Sequence, residues 1–507
     1  MSSKNIIVCA DGTGNKGGYS PDSNVYRVYK SVEKNVFSKD DDSVAEQVVF
    51  YDNGVGTNTN KYLRAAGGAF GFGFEVNVCD LYRFLARNYC AGDKIYFFGF
   101  SRGASTVRAC SGMISKCGLA KGEGLRNREL DNLVGEAFHA YKKHKKEPTI
   151  AENLKCSNRS HGTVDIEFLG VWDTVVALGF PKRTDITGLV TLVLNIIFYA
   201  MEWLLNKIWP HNFYYYKLTD NVLYGCQALA IDDERTAFWP FVWSEKNIPD
   251  VKDRTEDNVE QVWFSGMHSN VGGGYERSGM AGIPLYWVLR RAESKGLKLE
   301  NGALNDIYNA SHVHGRMYDS RDGLGFFYRY HPREIEKLCE DKLLGDIKIH
   351  CSVVNRMKHR TANYAPDRIP DKFEIVSSDD SEKTQSCNPA ANKQWGIVKK
   401  KVDDVILLRK RLYGVMLTVV VALLVCACCY KDEKLVLGKN VIFNNIAEFL
   451  SSTLPDFFTG LIGVAVAQHP EYFVFFIILV GVYFWVRSFL HAKTVRLSET
   501  LRHFIIT

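Results

Sequence analysis

The stretch IYFFGFSRGAS, residues 95–105, is the strongest indication of the fold, because it places a serine at a sharp turn. Its apolar, aromatic-rich first half ends at GFSRG, residues 99–103, and a helix-forming run follows over residues 104–116. The two glycines permit a turn that larger side chains would obstruct, and they leave the hydroxyl of Ser101 exposed. A strand, a turn and a helix with a serine at the apex predict a nucleophile elbow, and the alternative is an ordinary structural turn.

The composition is that of a globular protein with a sizeable core and a further part. The chain has 507 residues, of which 46% are hydrophobic, 13% aromatic and 24% charged. This length exceeds that of a usual single domain, so we expect one large domain and a second region. The net charge of +6 is spread along the chain, without basic blocks interleaved with aromatics. These features argue against a nucleic-acid partner.

The cysteines and the first residues bear on the cellular compartment. Thirteen cysteines are scattered, and the one CxxC spacing, at Cys426–Cys429, lies inside an apolar run. We therefore expect synthesis in a reducing compartment and no metal site. The first residues, MSSKN, lead directly into a strand-like run, so we expect no signal peptide.

Short apolar runs predict an α/β fold: an α/β-hydrolase-like, mostly parallel sheet with helices on both faces. Each run is rich in Val, Ile or Phe and precedes Gly, Asp, Asn or Ser, as in buried parallel strands. The predicted strands are Ile6–Ala10, Gln47–Tyr51, Ile95–Phe100, Ile166–Val171 and Val262–Phe264. A helix is predicted over Val76–Tyr89. This catalytic domain is expected to span residues 1–375.

The C-terminal region predicts a transmembrane helical hairpin. A polar linker is expected at 376–398, a membrane-associated region at 399–490 and a basic tail at 491–507. Two uncharged apolar runs, 412–430 and 472–486, the second extended by its flanks to about 490, approach the length that crosses a bilayer. Buried core helices are the alternative. The run between them, 443–467, is broken by charges and a proline, which favours an interfacial or re-entrant segment.

The distribution of charges predicts the orientation of this hairpin. Six basic residues lie within 399–411, just before the first span, and four follow the second. The intervening segment carries three lysines against five acidic residues. By the positive-inside rule both ends lie in the cytoplasm, with the catalytic domain on the cytoplasmic side of an inner membrane.

A further apolar stretch, Ile186–Leu205, lies inside the catalytic domain and contains one charged residue, Glu202. Aromatic residues border it, as at a lipid interface. We interpret the insert at about 176–216 as an apolar lid or membrane-dipping helix. A buried helix and a third span remain alternatives.

A nucleophilic serine needs a histidine base, and the histidine needs an acid to orient it. In α/β-hydrolases these residues follow the serine in the order acid, then histidine. Asp173 directly follows a predicted strand in GVWDT, and its alternative role is to cap the next helix. Asp11 and Asp52 also follow strands but precede the serine.

His268 is the best candidate for the base, since it follows a strand-like run in VWFSGMHSNVGGGY, residues 262–275. His350 follows a possible strand and is the second candidate. His161, His312 and His314 lack this context.

An oxyanion hole needs two backbone N–H donors. We expect Arg102, the residue after the nucleophile, to supply one. The loop after the first strand, through Gly12 or Thr13, is expected to supply the other. Alternatively, Asp11 and Thr13 only brace that loop.

Taken together, these motifs resemble the DUF2235 family of α/β-hydrolases, which includes Tle1-type phospholipase effectors of type VI secretion. The resemblance covers about residues 4–370 and rests on motifs in the same order: CADGTGN (9–15), YDNGVGT (51–57), GFSRGA (99–104), GVWDT (170–174), ALAIDD (228–233), HSNVGGGY (268–275), HCSVVNR (350–356) and YAP (364–366). It implies a serine esterase acting on glycerophospholipid acyl bonds, with Ser101, Asp173 and His268 as the triad. Asn270 and Gly14 depart from the family, which often has Asp and Trp there.

The hypothesis that follows is a phospholipase A-type serine hydrolase at a phospholipid membrane, without a cofactor. It is either an antibacterial effector secreted into target cells or a resident membrane lipase. For an effector, the resemblance implies an immunity protein and type VI spike or chaperone components as partners. The alternatives are a non-catalytic membrane-inserting or scaffolding protein and a hydrolase of other esters or thioesters.

Overall fold

A computed structural model describes residues 3–19, 21–34, 47–54, 73–175, 217–246, 258–323, 325, 328–379, 384–430 and 433–506. The predicted lid at 176–216 lies outside the described residues. Clustering of contacts divides the chain into two compact units. Among the described residues, the first runs up to Ala391, with a few C-terminal residues, and the second comprises Asn392–His503.

The first unit is built on a sheet in which nine strands are described, in the order β2-β1-β3-β4-β5-β6-β7-β8-β9. The strands are β1 Asn5–Ala10, β2 Gln47–Asp52, β3 Lys94–Phe100, β4 Ile166–Trp172, β5 Gly225–Ala230, β6 Val259–Phe264, β7 Ile347–His350, β8 Phe373–Val376 and β9 Gln385–Cys387. Neighbouring strands pair in parallel except β8 with β9. The carboxyl ends of the parallel strands therefore meet at one edge, where α/β sheets bind ligands.

Helices pack on both faces of this sheet, as predicted. They are α1 Asn24–Ser31, α2 Phe74–Asn88, α3 Arg102–Cys117, α4 Asn127–Lys143, α5 Pro148–Lys155, α6 His268–Gly272, α7 Gly279–Ser294, α8 Ala303–Ala310, α9 Ile335–Cys339 and α10 Cys351–Lys358. Alternate residues of β1 enter different cores because strand side chains alternate between faces. Ile6 and Val8 pack with α2, α3 and α4. Ile7 and Cys9 pack with α1 and α7.

Two of the strands that the sequence analysis did not predict have weak patterns. β5 has the sequence GCQALA, with a glycine, a glutamine and small residues in place of β-branched ones. β9 is three residues long and polar. It falls, with the last residue of β8, inside the segment predicted as a linker at 376–398. That segment also contains the start of the next helix, at Lys393.

The second unit contains two long apolar helices, α11 Lys393–Cys429 and α14 Pro470–Ile506. Each is 37 residues long, and each is long and apolar enough to cross a membrane. Only 11% and 6% of their most apolar windows are buried within the protein. Core helices bury most of their apolar surface. These two helices leave most of theirs exposed, so they do not have the burial of core helices.

Between these helices the chain forms a small helical cluster around α12 Val441–Thr453 and α13 Thr459–Ile462. One side of α12 packs inward through Ala447. Ile442 and Phe449, seven residues apart, share an outer flank and are 68% and 65% exposed. Exposed Asn445, Glu448 and Ser452 share the other flank. This three-part pattern is typical of a helix at an interface between apolar and polar surroundings.

The close approach of α3 to β1 generates a stability prediction. A Cβ at Gly103 would lie 2.1 Å from the carbonyl oxygen of Ala10, so Gly103→Ala must push the helix off the strand. We expect a loss of about 2 kcal/mol or more in the free energy of unfolding, measured by urea denaturation. Gly135→Ala in α4 is the control. Its Cβ meets nothing within 4 Å, and alanine is favoured over glycine in a helix by about 0.5–1 kcal/mol. Equal denaturation midpoints for Gly103→Ala and the wild type would contradict this packing.

Candidate active site

Ser101 lies at the turn between β3 and α3 in a strained conformation. Its backbone has φ 57° and ψ −120°, and a positive φ is uncommon for a residue with a side chain. Gly99 and Gly103, two residues to either side, have no Cβ and let this turn pack closely. A Cβ on Gly99 would lie 2.6 Å from the Cα of Ala104. Strain of this kind clusters at active sites, and here it presents the serine hydroxyl at the carboxyl edge of the sheet.

The structure brings Ser101, His268 and Asp173 together in one hydrogen-bonded line. His268 Nε2 lies 2.8 Å from Ser101 Oγ, and His268 Nδ1 lies 2.5 Å from Asp173 Oδ2. Asp173 follows β4 directly and His268 begins α6, shortly after β6. All three side chains are buried. The arrangement has the geometry of a nucleophile, a base and an orienting acid.

Arg333, which the sequence analysis missed, forms a bidentate ion pair with the carboxylate of Asp173. Its Nη1 and Nη2 each donate across 2.7 Å, one to each carboxylate oxygen, and both side chains are completely buried. The backbone N–H of Ala230 donates to the same carboxylate at 3.0 Å. Arg333 lies in the polar stretch HPREIEK, which carries no motif, so only the structure could identify it.

The electrostatics of the site favour an ionised acid beside a neutral histidine. Burial alone would raise the pKa of Asp173, but the charge and hydrogen bonds of Arg333, with the bond from His268, hold it well below its usual range. Burial lowers the pKa of His268 below its usual value, although Asp173 acts in the opposite direction. A neutral imidazole can accept a proton from the serine hydroxyl at neutral pH.

A second buried carboxylate, Asp233, fixes the backbone at the histidine. It accepts a hydrogen bond from the backbone N–H of His268 at 3.2 Å and pairs with Arg235 at 2.7 Å. The imidazole ring also contacts Phe100 and Phe238, with ring centroids 4.6 and 5.0 Å away. His268 is therefore held at its backbone N–H, at Nδ1 and by contacts of its ring with two aromatic side chains.

The loop after β1 lies against the serine, with Gly12 in contact. A Cβ on Gly12 would come within 3.2 Å of the Cβ of Ser101. The backbone N–H of Gly12 donates to the carboxylate of Asp11 at 2.6 Å, which disfavours it as an oxyanion donor. Of the two loop residues, Thr13 is then the better candidate, with the backbone of Arg102 as the other donor.

Asp11 braces this loop, which was the alternative role for it. Besides the Gly12 N–H, its carboxylate accepts hydrogen bonds from Asn15, Ser23 and Tyr51, at 3.0, 2.5 and 2.7 Å. Burial raises the pKa of Asp11, with these bonds acting in the opposite direction. The network ties β2 and the start of α1 to the loop beside the serine.

The other candidate histidines serve different contacts. His350 engages the hydroxyls of Ser352 and Ser378 through its two nitrogens, each at 2.8 Å. Burial lowers its pKa to about 3. His312 and His314 contact each other, and His161 packs against Tyr89. In the described parts of the chain, no group of three or more His, Cys, Asp or Glu residues could hold a metal ion.

Asn270, one of the two departures from the family pattern, lies in α6 just after the histidine. Its amide donates to the carbonyl oxygen of Arg316 at 3.1 Å and accepts from the backbone N–H of Tyr318 at 3.1 Å. A carboxylate can only accept when ionised. The asparagine therefore satisfies a donor and an acceptor of the same loop.

Comparison with known proteins identifies relatives of this chain. The family model for the catalytic domain of Tle1-like phospholipase effectors of type VI secretion matches residues 4–291. A curated relative, the uncharacterized protein YEL023C of Saccharomyces cerevisiae, is 30% identical over 203 residues. That match covers 36% of this chain and 28% of the relative, so the chain matches less than a third of its length.

Two solved structures share low sequence identity with the chain. An uncharacterized protein from Pseudomonas aeruginosa is 15% identical, with a TM-score of 0.37 over 64% of this chain and 50% of that one. The Tle1 effector bound to the VgrG spike of the type VI secretion system is 18% identical, with a TM-score of 0.28 over 56% and 53%.

The buried ion pair between Arg333 and Asp173 generates a second stability prediction. Arg333→Met removes the cation and leaves a carboxylate buried without its partner, which costs about 3–5 kcal/mol. We expect a loss of that size in the free energy of unfolding, measured by urea denaturation. Arg128→Met on the exposed surface of α4 is the matched control. Adding Asp173→Asn to Arg333→Met should recover part of the loss. No difference between the two arginine variants would contradict the ion pair.

Proposed function

This chain belongs to the family of Tle1-like phospholipase effectors of type VI secretion, and we propose that it is a serine hydrolase that cleaves acyl ester bonds of glycerophospholipids. The observation that carries the proposal is the line from Ser101 Oγ through His268 to the carboxylate of Asp173. The sheet, with its serine after β3 and its acid and base after later strands, supports an α/β-hydrolase fold.

In the proposed mechanism Ser101 Oγ attacks the ester carbonyl carbon while His268 Nε2 takes the hydroxyl proton. The carbonyl oxygen becomes an oxyanion, held by the backbone N–H of Arg102 and by a second donor in the loop at Thr13. The intermediate collapses and releases a lysophospholipid, whose alkoxide takes the proton from His268. A water molecule, deprotonated by the same histidine, then releases the fatty acid. Asp173 keeps the imidazole oriented and stabilises its positive charge.

We propose that the two exposed apolar helices, α11 and α14, anchor the enzyme in a bilayer. Each contains an apolar stretch of spanning length whose surface the protein leaves exposed. The basic residues before the first and after the second stretch favour a cytoplasmic location for both ends. The helix α12 between them has the flank pattern of an interfacial helix. A lid at 176–216 remains a prediction.

Two biological uses follow from these properties. Family membership supports an effector that attacks a competitor's phospholipids, with an immunity protein and type VI spike or chaperone components as partners. The two apolar helices favour a resident enzyme that acts on the membrane in which it is anchored. Growth arrest after export to the bacterial periplasm, absent for Ser101→Ala, would support the effector. Normal growth with altered lipid composition on cytoplasmic expression would support the resident enzyme.

The nucleophile has a direct test. Ser101→Ala should lower turnover on mixed phospholipids on the order of 10⁶-fold, because the triad acts as a unit. Mass spectrometry of the released lysophospholipids and fatty acids measures it and also gives the head-group preference. Ser386→Ala, at an exposed position of β9, is the control and should retain most activity. Full activity of Ser101→Ala would refute the proposed function. Dye release from liposomes by Ser101→Ala would instead support the non-catalytic alternative.

The pH dependence follows from the lowered pKa of His268. The base must be neutral to accept a proton, so activity is lost as the pH falls through its pKa. Because burial moves that pKa below the ordinary value of 6.5, the acid limb of kcat/KM should lie below pH 6.5. The profile is measured with a water-soluble ester over the stable range of the protein. An acid limb above pH 6.5 would contradict the lowered pKa of His268.

The membrane orientation is tested by labelling at Asn440, in the segment between the two apolar helices. A single cysteine there, in a chain whose thirteen native cysteines are replaced by alanine or serine, should react with an impermeant maleimide from the non-cytoplasmic side only. A cysteine at Asp379 provides the control and should react from the cytoplasmic side. Labelling of position 440 from the cytoplasm would overturn the orientation.

A further inference from the structure

A cavity of about 490 Å³ is lined by residues of α1 and the chain just before it, and by residues that follow α6. Its volume is within the range of small-molecule sites, roughly 300–1,000 Å³. Two cationic side chains, Arg27 and Lys30, and two carboxylates, Asp22 and Glu276, line it together with Tyr275. These four charges sum to zero. None of these residues belongs to the catalytic line, so the cavity is a separate candidate site.

The two segments that line the cavity are joined through their backbones. The backbone N–H of Gly274 donates to the carbonyl oxygen of Asp22 at 3.1 Å. A Cβ on Gly273 would lie 2.8 Å from the backbone nitrogen of Asn24, so the segments approach closely at this point. Contacts of this kind fix the two walls relative to each other, and the cavity is therefore formed before any ligand binds.

Arg27 is a mostly buried cation on the wall of the cavity. Its Nη1 is buried and has no hydrogen-bond partner among the residues that the structure describes. The nearby carboxylate of Asp22 pairs instead with Lys30, whose Nζ lies 2.5 Å from Asp22 Oδ2. Burial lowers the pKa of Arg27, with Asp22 acting in the opposite direction, but an arginine stays protonated in proteins. A buried cation is costly unless it is paired, so this place favours an anion.

An anion alone does not match the rest of the cavity. Glu276 is an exposed carboxylate on the segment after α6, and Asp22 is a second carboxylate on the other wall. A ligand that carries only negative charge would be repelled by both, which would offset much of its attraction to Arg27. A ligand that also carries a positive charge is attracted at both walls. The charges of the cavity therefore favour a zwitterion.

We propose that this cavity binds a phosphate ester that carries an ammonium group, with the phosphate at Arg27 and the ammonium at Glu276. The planar guanidinium matches phosphate oxygens with two parallel hydrogen bonds. Tyr275, whose ring stacks on that of Tyr318 with centroids 4.1 Å apart, adds an aromatic surface of the kind that attracts ammonium groups. Ethanolamine phospholipids and free phosphate esters of ethanolamine share this chemistry. Binding at this site does not depend on hydrolysis by Ser101.

The first test measures binding without turnover. The full chain carrying Ser101→Ala is titrated by calorimetry, in detergent micelles, with glycerophosphoethanolamine. We expect saturable binding that weakens on the order of tenfold when Arg27→Gln or Glu276→Gln is added, because each removes a charge-assisted hydrogen bond. Arg128→Gln on the exposed surface of α4 is the matched control and should leave the affinity unchanged. No binding by the Ser101→Ala chain, or equal affinities in all three added variants, would overturn the proposal.

Because Arg27 is mostly buried, its variants are checked for folding by urea denaturation. Arg27→Lys keeps the charge without the planar guanidinium, so its affinity should lie between those of Arg27 and Arg27→Gln. If Arg27→Gln lowers the denaturation midpoint, Glu276→Gln at its exposed position decides. An unchanged affinity for glycerophosphoethanolamine in Glu276→Gln would then overturn the proposal.

The second test separates the two charges and the two sources of the ligand. Arg27→Gln should weaken the binding of inorganic phosphate, and Glu276→Gln should not. A loss in Glu276→Gln alone would overturn the placement of the two groups. Competition with a short-chain phosphatidylethanolamine then identifies the source, since displacement of glycerophosphoethanolamine supports a lipid head group and a failure to displace it supports a free phosphate ester.

Discussion

The buried ion pair between Arg333 and Asp173 is the interaction on which the site depends. A completely buried carboxylate would ordinarily protonate or disrupt its surroundings. The two 2.7 Å bonds from the guanidinium keep it ionised and fix its plane. The carboxylate then holds His268 Nδ1, which directs Nε2 to the serine hydroxyl. Burial lowers the pKa of His268, so the site combines an ionised acid with a neutral histidine.

The sheet brings the three residues of the site to one position. Parallel strands deliver Ser101, Asp173 and His268 to one edge from β3, β4 and β6, positions far apart in the sequence. Glycines permit the close approach of the serine turn to its neighbours, at a position where any Cβ would collide with backbone. The site therefore depends on the spacing of the strands and on the absence of side chains at a few positions.

The sequence predicts the parts of this arrangement that have local signals. Strands β1, β2, β3, β4 and β6 are short apolar runs followed by turn residues, so periodicity and composition locate them. The pattern does not predict β5, because small and polar residues replace the usual β-branched ones. Ser101, Asp173 and His268 could be proposed because each follows a strand in a known chain order. Arg333 could not, since its partner lies 160 positions earlier and no local pattern marks a long-range ion pair. The hydrogen bond from the Gly12 N–H to the Asp11 carboxylate could not be predicted either, because it depends on the conformation of the loop.

The central claim, that Ser101 is a nucleophile activated by His268, is tested most directly by covalent labelling of the full chain. A fluorophosphonate reacts with activated serines, and mass spectrometry of the digested protein locates the modified residue. We expect a single major adduct on Ser101, with a labelling rate that falls strongly in His268→Ala. An adduct on a different residue, or labelling of Ser101 at an unchanged rate without the histidine, would contradict it.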